Sequence, residues 1–146
     1  LFDLDQRSEV WSHRVGLISG LAWRPQSDDL LISYSNASAQ NTTILYNVKT
    51  LVTRKNYRSI FAPYESRIFL RFNSTGSAFA ALGKAASGAA EIDYIGTDSG
   101  SSTGRWTYEH AMDSYTFVEL SPDNRYAVAG GSNHNTVLLY GLPRVP

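Results

Sequence analysis

Glu91 and Asp93 alternate along one short segment, so a β-strand places both carboxylates on the same face. Two neighbouring acids are the equipment of glycosidic hydrolysis, one giving a proton while the other attacks or activates water. The plainer reading of the pair is an outward polar face. Asp28 and Asp29 are the other close acids, and they fall in a turn-forming run. Three histidines occur, His13, His110 and His134, and none stands in a His-x-x-x-His pair. The chain has no cysteine, which excludes disulfides, thiolate metal sites and cysteine nucleophiles. No catalytic residue, metal site or cofactor is predicted.

Phosphate chemistry has one weak foothold. Gly83 to Gly88 is small and flexible, but it lacks the strand-then-helix setting of a phosphate loop. Charge gives a second. From residue 49 to 71, six Lys and Arg face Glu65 alone, with Tyr57, Phe61 and Tyr64 interleaved. Arg54, Lys55 and Arg58 form the centre of this stretch, which suits phosphate, RNA or an acidic partner. The plainer reading of the stretch is a solvated outer edge, where charge deters strand pairing. From residue 91 to 123 the balance reverses, with seven acids against Arg105. Over all 146 residues the formal net charge is zero, so no whole-molecule field attracts nucleic acid or membrane. Sequons stand at Asn36, Asn41 and Asn73, in a Ser/Thr-rich chain whose composition alone supplies one or two.

The elements that must position these residues come from an internal repeat. Leu21-Ala-Trp-Arg-Pro25, Leu70-Arg-Phe-Asn-Ser74 and Val118-Glu-Leu-Ser-Pro122 each precede a polar turn and then an apolar run. Their last residues are 49 and 48 positions apart. A second series follows downstream: Phe2, Tyr46, Tyr94 and Tyr140, each closing a short apolar segment. Within one unit, Leu17 to Trp23, Leu30 to Tyr34 and Thr43 to Val48 read as strands, and Leu51 to Arg54 as a more polar fourth. Residues 97–106, rich in Gly and Ser, read as a long mobile hairpin tip. No segment keeps a capped helical period. The fold class is therefore all-β, with units of four antiparallel strands that suit propeller blades.

These residues resemble WD40 repeats over nearly the whole chain. Leu21 to Pro25 and Val118 to Pro122 match the end of that family's innermost strand and its Ser-Pro-Asp-Gly turn. Phe2-Asp3 stands at the Trp-Asp position and Tyr46-Asn47 is a softened version. His13 and His110 fall near the family's Gly-His position, and Ser33 fits its buried Ser. Tyr94-Ile95 and Tyr140-Gly141 lack the Asp, Ala62 replaces a His, and Gly130 replaces the Ser. The resemblance implies a partial propeller: 1–14 the end of one blade, then blades over 15–62, 63–111 and 112–146. Three blades leave two open apolar faces, to be closed by blades of a longer chain or of another subunit.

The resemblance further implies a protein–protein interaction scaffold, non-enzymatic, in the cytoplasm or nucleus, with a protein or peptide partner. No membrane partner is expected, since no apolar run approaches a bilayer-spanning length. Arg14, Tyr64, Arg67 and Tyr115 are the candidate contacts, because Arg and aromatic residues anchor interfaces. Trp23 is expected to pack between blades. Two alternatives stay open. One is RNA or phosphate binding through 49–71. The other is a propeller hydrolase, for which the inner strands offer only Glu119.

Overall fold

The computed structural model describes residues 2–3, 5, 7–9, 16–35, 41–57, 61, 67–111, 117–130 and 137–144. Among them all regular structure is β. A short ladder joins β1 (Phe2–Asp3) to β2 (Ser8–Glu9). One four-stranded sheet runs in chain order through β3 (Leu17–Trp23), β4 (Asp29–Ser35), β5 (Asn41–Asn47) and β6 (Val52–Tyr57). A second runs through β7 (Phe69–Phe72), β8 (Ala78–Lys84), β9 (Ala89–Gly96) and β10 (Ser102–Ala111). A third has β11 (Phe117–Leu120), β12 (Tyr126–Gly130) and β13 (Val137–Gly141). All pairings are antiparallel.

The repeat is written into the turns. Arg24 N–H donates to Asp29 O, Asn73 N–H to Ala78 O and Ser121 N–H to Tyr126 O, each at 2.9 Å. After the third strand, Val48, Thr97 and Leu142 donate back to Asp28, Ser77 and Arg125 at 2.9, 2.8 and 2.8 Å. The register corrects the aromatic series by one position. Leu30 pairs with Tyr46, Phe79 with Ile95 and Ala127 with Tyr140, so Ile95 rather than Tyr94 is the third member. A one-residue step reverses the face of a strand residue, so Tyr94 looks the opposite way from Tyr46 and Tyr140.

Two cores lie between sheets. Leu31, Leu45 and Tyr57 meet Phe72, Phe79 and Ile95 between the first and second. Tyr94, Leu82 and Ile92 meet Val118 and Ala129 between the second and third, with Trp106 packed against Tyr140. Both faces of β8 are covered, which is why Ala78 to Leu82 reads as a continuous apolar run instead of an alternation. The sheets touch most closely at their inner strands. A bulge at Ser19 interrupts the β3–β4 ladder, and the Ser19 carbonyl accepts the Ile68 N–H at 3.0 Å. Gly20 permits this approach, since a Cβ there would lie 2.2 Å from Ile68 O.

One expectation changes and another meets an uncovered face. Trp23 holds the repeat position of Phe72, which packs between the first and second sheets. No described sheet covers the outer face of the first, and there Trp23 is 50% exposed, beside Leu21 at 52%. Its cross-strand partner is Leu30, on the face opposite the one that meets the second sheet. The expected long tip over 97–106 is instead a tight turn, with Gly96 N–H donating to Ser101 O, followed by a ten-residue β10. Trp106 is thus a half-buried strand residue packed against the core.

Candidate functional site

The inner strands β3, β7 and β11 lie side by side and enclose a groove of about 390 Å³. Its walls carry Ser19, Leu21, Arg67, Arg71, Phe117 and Glu119. Arg71 grips Glu119 from the neighbouring sheet, with Nη2 and Nε at 2.6 and 2.8 Å from Oε1. Glu119, the inner-strand acid on which a hydrolase would depend, therefore faces the groove as half of an ion pair. Leu21 and Phe117 give the groove exposed apolar edges. The Ser19 hydroxyl is buried and has no hydrogen-bond partner among the described residues.

Of the residues expected to contact a partner, Arg67 lies on this groove and is exposed. Arg14, Tyr64 and Tyr115 lie outside the described residues, as do His13, Ala62 and His134. So does Arg58 of the expected basic patch. The rest of that patch is dispersed. Arg54 Nε lies 3.2 Å from Asp29 Oδ1. Lys55 Nζ donates to the Asp98 carbonyl of the next sheet. Arg71 sits in the inner groove. Adjacent side chains of a strand point to opposite faces, so a run of basic residues along the sequence is split between environments.

Asp29 is the centre of a buried network. It is 2% exposed, accepts from Asn47 Nδ2 at 2.7 Å, and faces Arg24 Nη1 at 3.5 Å and Arg54. Arg24 also reaches Asp98 of the second sheet at 3.5 Å. Beside it, the Tyr57 hydroxyl donates to Thr97 O at 2.8 Å. Burial pushes that phenol well above its ordinary pKa. In the first sheet Ser33 Oγ accepts from Thr43 Oγ1 at 3.1 Å, both buried. These polar groups stitch strands together.

Glu91 and Asp93 share a face, as their spacing predicts, but the face is buried rather than outward: they are 8% and 1% exposed. Arg105, opposite Asp93 on β10, lies 2.6 Å from Asp93 Oδ2 and 3.5 Å from Glu91 Oε1. Ser102 Oγ donates to Asp93 and Thr107 Oγ1 to Glu91. The Asp93 hydrogen bond holds the Arg105 guanidinium above its usual pKa. Acids this fully engaged hold a hairpin together and are poorly placed to trade protons. Among the described residues, no cluster of three His, Cys, Asp or Glu could hold a metal ion. No helix among them is long and apolar enough to cross a membrane. The Arg105 clamp escaped the sequence reading; the signal was the Arg itself, falling opposite Asp93 once the turn at 97–101 is recognised.

No family model and no curated protein matches the sequence. Solved structures do match. The Cps50 (Swd1) β-propeller domain of Myceliophteria thermophila superposes with a TM-score of 0.65 at 14% identity over 92% of this chain. The Dos1 propeller gives 0.61 at 13% identity over 85%. Hydrazine synthase of Kuenenia stuttgartiensis gives 0.71 at 16% identity over 88%. The fold shared with them is that of β-propeller blades. The chain spans 42%, 30% and 36% of the lengths of these three structures. Each sheet is accordingly a propeller blade, and the inner groove faces the axis around which such blades are arranged.

Proposed function

We propose that this chain is part of a propeller that works as a non-enzymatic protein–protein interaction scaffold, in the cytoplasm or nucleus. Blades over 15–62, 63–111 and 112–146 belong to the same reading, as does closure by further blades. The observation that carries it is the state of the acids. Glu119 is paired with Arg71, and Glu91 and Asp93 with Arg105, so the acids a hydrolase would use are committed to structure. The inner groove instead combines Arg67 with the apolar edges Leu21 and Phe117. Arginine beside apolar surface is the usual composition of an interface anchor. The dispersal of the 49–71 cations weighs against a nucleic-acid surface, which needs its charge on one face.

The test compares the chain with Arg67→Glu and Phe117→Asp variants by affinity purification and by a panel of glycoside and ester substrates. A scaffold retains a defined protein partner that both variants lose. Turnover by the pure chain that disappears in Glu119→Gln would overturn the reading.

A further inference from the structure

Equivalent positions at successive blade junctions are filled differently. Between the first and second blades, Arg24 lies across Gly76, where a Cβ would stand 2.9 Å from Arg24 Cγ. Its guanidinium bridges Asp29 and Asp98. One repeat on, between the second and third blades, the matching backbone bonds put Asn73 at the Arg24 position, Asn124 at Gly76 and Pro143 at Asp98. The long plug and its anion are both missing. The junction holds a cleft of about 590 Å³, lined by Asn73, Tyr94, Asn124, Arg125 and Arg144 among others.

The floor has changed as well. Leu45 of the first blade corresponds to Tyr94, so an apolar floor becomes a hydroxyl. Tyr94 is 1% exposed and its oxygen accepts from Asn73 Nδ2 at 3.3 Å. No described residue accepts its own proton, which leaves a buried donor directed at the cleft. Asn124 spends Oδ1 on the Ser74 amide and hydroxyl, so its amide donors are left over. Arg144 is exposed and makes no hydrogen bond or ion pair with another described residue. Arg125 lies 3.7 Å from Asp123, whose carboxylate is also held by the Ser121 hydroxyl. With Asp123 so occupied, the cleft offers surplus donors, one surplus cation and no free acceptor of similar strength.

We propose that this cleft receives an acidic peptide segment of a partner protein, a carboxylate side chain taking hydrogen bonds from Tyr94 and Arg144. This rests on the scaffold reading and names the chemistry of one partner contact. Charge-assisted hydrogen bonds to guanidinium are the strong ones, and a buried donor that no described residue accepts is satisfied on binding.

The probe is a fluorescein-labelled, end-blocked peptide with four glutamates, against its glutamine counterpart. Anisotropy gives affinity, and amide NMR shifts at Ser77 and Asn124 give the place. The glutamate peptide should bind and the glutamine peptide should not. Arg144→Glu, at an exposed position where folding is not at risk, should weaken binding about tenfold or more. Tyr94→Phe should weaken it severalfold with β9 amide shifts otherwise kept. Equal affinity for both peptides, unchanged affinity in Arg144→Glu, or shifts confined to other residues would overturn the proposal. So would inorganic phosphate binding the cleft more tightly than the peptide. If the peptide fails while a partner lost by the Arg67→Glu variant is still captured, this site falls and the scaffold reading stands.

Discussion

Arg105 on β10 reaches across to Asp93 on β9, with Nη2 2.6 Å from Oδ2, and closes over a carboxylate that is 1% exposed. Removing the cation strands a buried charge, which costs more than the ion pair itself contributes. Arg105 is half exposed, so water compensates in part. Arg105→Ala should therefore destabilise the fold by about 1–3 kcal/mol, within the range for an unsatisfied buried group. Asp93→Asn in the same background should recover part of that loss. Urea denaturation of the two variants checks both statements; equal stability of Arg105→Ala and the parent would show the pair to be ornamental.

The contact of Gly20 with Ile68 is more severe. A Cβ at Gly20 meets a backbone oxygen at 2.2 Å, and backbone cannot swing aside as a flexible side chain can. Gly20→Ala must push the first two blades apart at their inner strands and break the bond from Ile68 N–H to Ser19 O. A loss of about 1–3 kcal/mol is expected from such overpacking. Hydrogen exchange locates it: the Ile68 amide should lose protection before amides of the β8–β9 ladder.

What the sequence disclosed followed from period and turn chemistry. Leu17 to Trp23 is a strand with the bounds its residues suggested, and the turns after Trp23, Phe72 and Leu120 close with the same backbone bond. Tyr94 misled because an aromatic at nearly the right spacing passes for a repeat member, while strand facing depends on single-residue register. The charged stretch 49–71 shows a related limit. Charge is counted along the chain, but Arg54, Lys55 and Arg71 are distributed by sheet geometry to Asp29, the Asp98 carbonyl and Glu119. The open cleft depends on what Asn73, Asn124 and Pro143 fail to fill, and becomes legible only when two junctions are compared.

Tyr57 ties stability to alkaline pH. Its phenol is buried, so the folded pKa lies above the ordinary 10.0 of an exposed tyrosine. The folded state then holds the proton more tightly than the unfolded state. That stabilisation is complete below the unfolded pKa and is lost as pH rises towards the folded one. Stability should fall as pH climbs above about 10. Tyr57→Phe should lose the bond to Thr97 O, lowering stability at neutral pH by about 1 kcal/mol, and should flatten the alkaline decline. Tyr94 and Tyr140 are raised in the same direction, so the decline becomes shallower without vanishing. Thermal melts between pH 8 and about 11 give the comparison.

The two outer blade faces should behave as adhesive surfaces. Leu21 and Trp23 are at least half exposed on one, and Val137 and Leu139 are 66% and 69% exposed on the other. Both sets stand on the faces that, in the middle blade, are covered by a neighbour. Apolar side chains grouped in this way are drawn out of water at about 25 cal/mol per Å² when a partner surface arrives. Light scattering over a concentration series should show this chain associating. Leu21→Glu combined with Leu139→Lys should shift it towards the monomer without changing its circular dichroism. A parent that stays monomeric at all concentrations would mean that these faces are covered in solution by residues other than those described, and the three-blade reading would have to be redrawn.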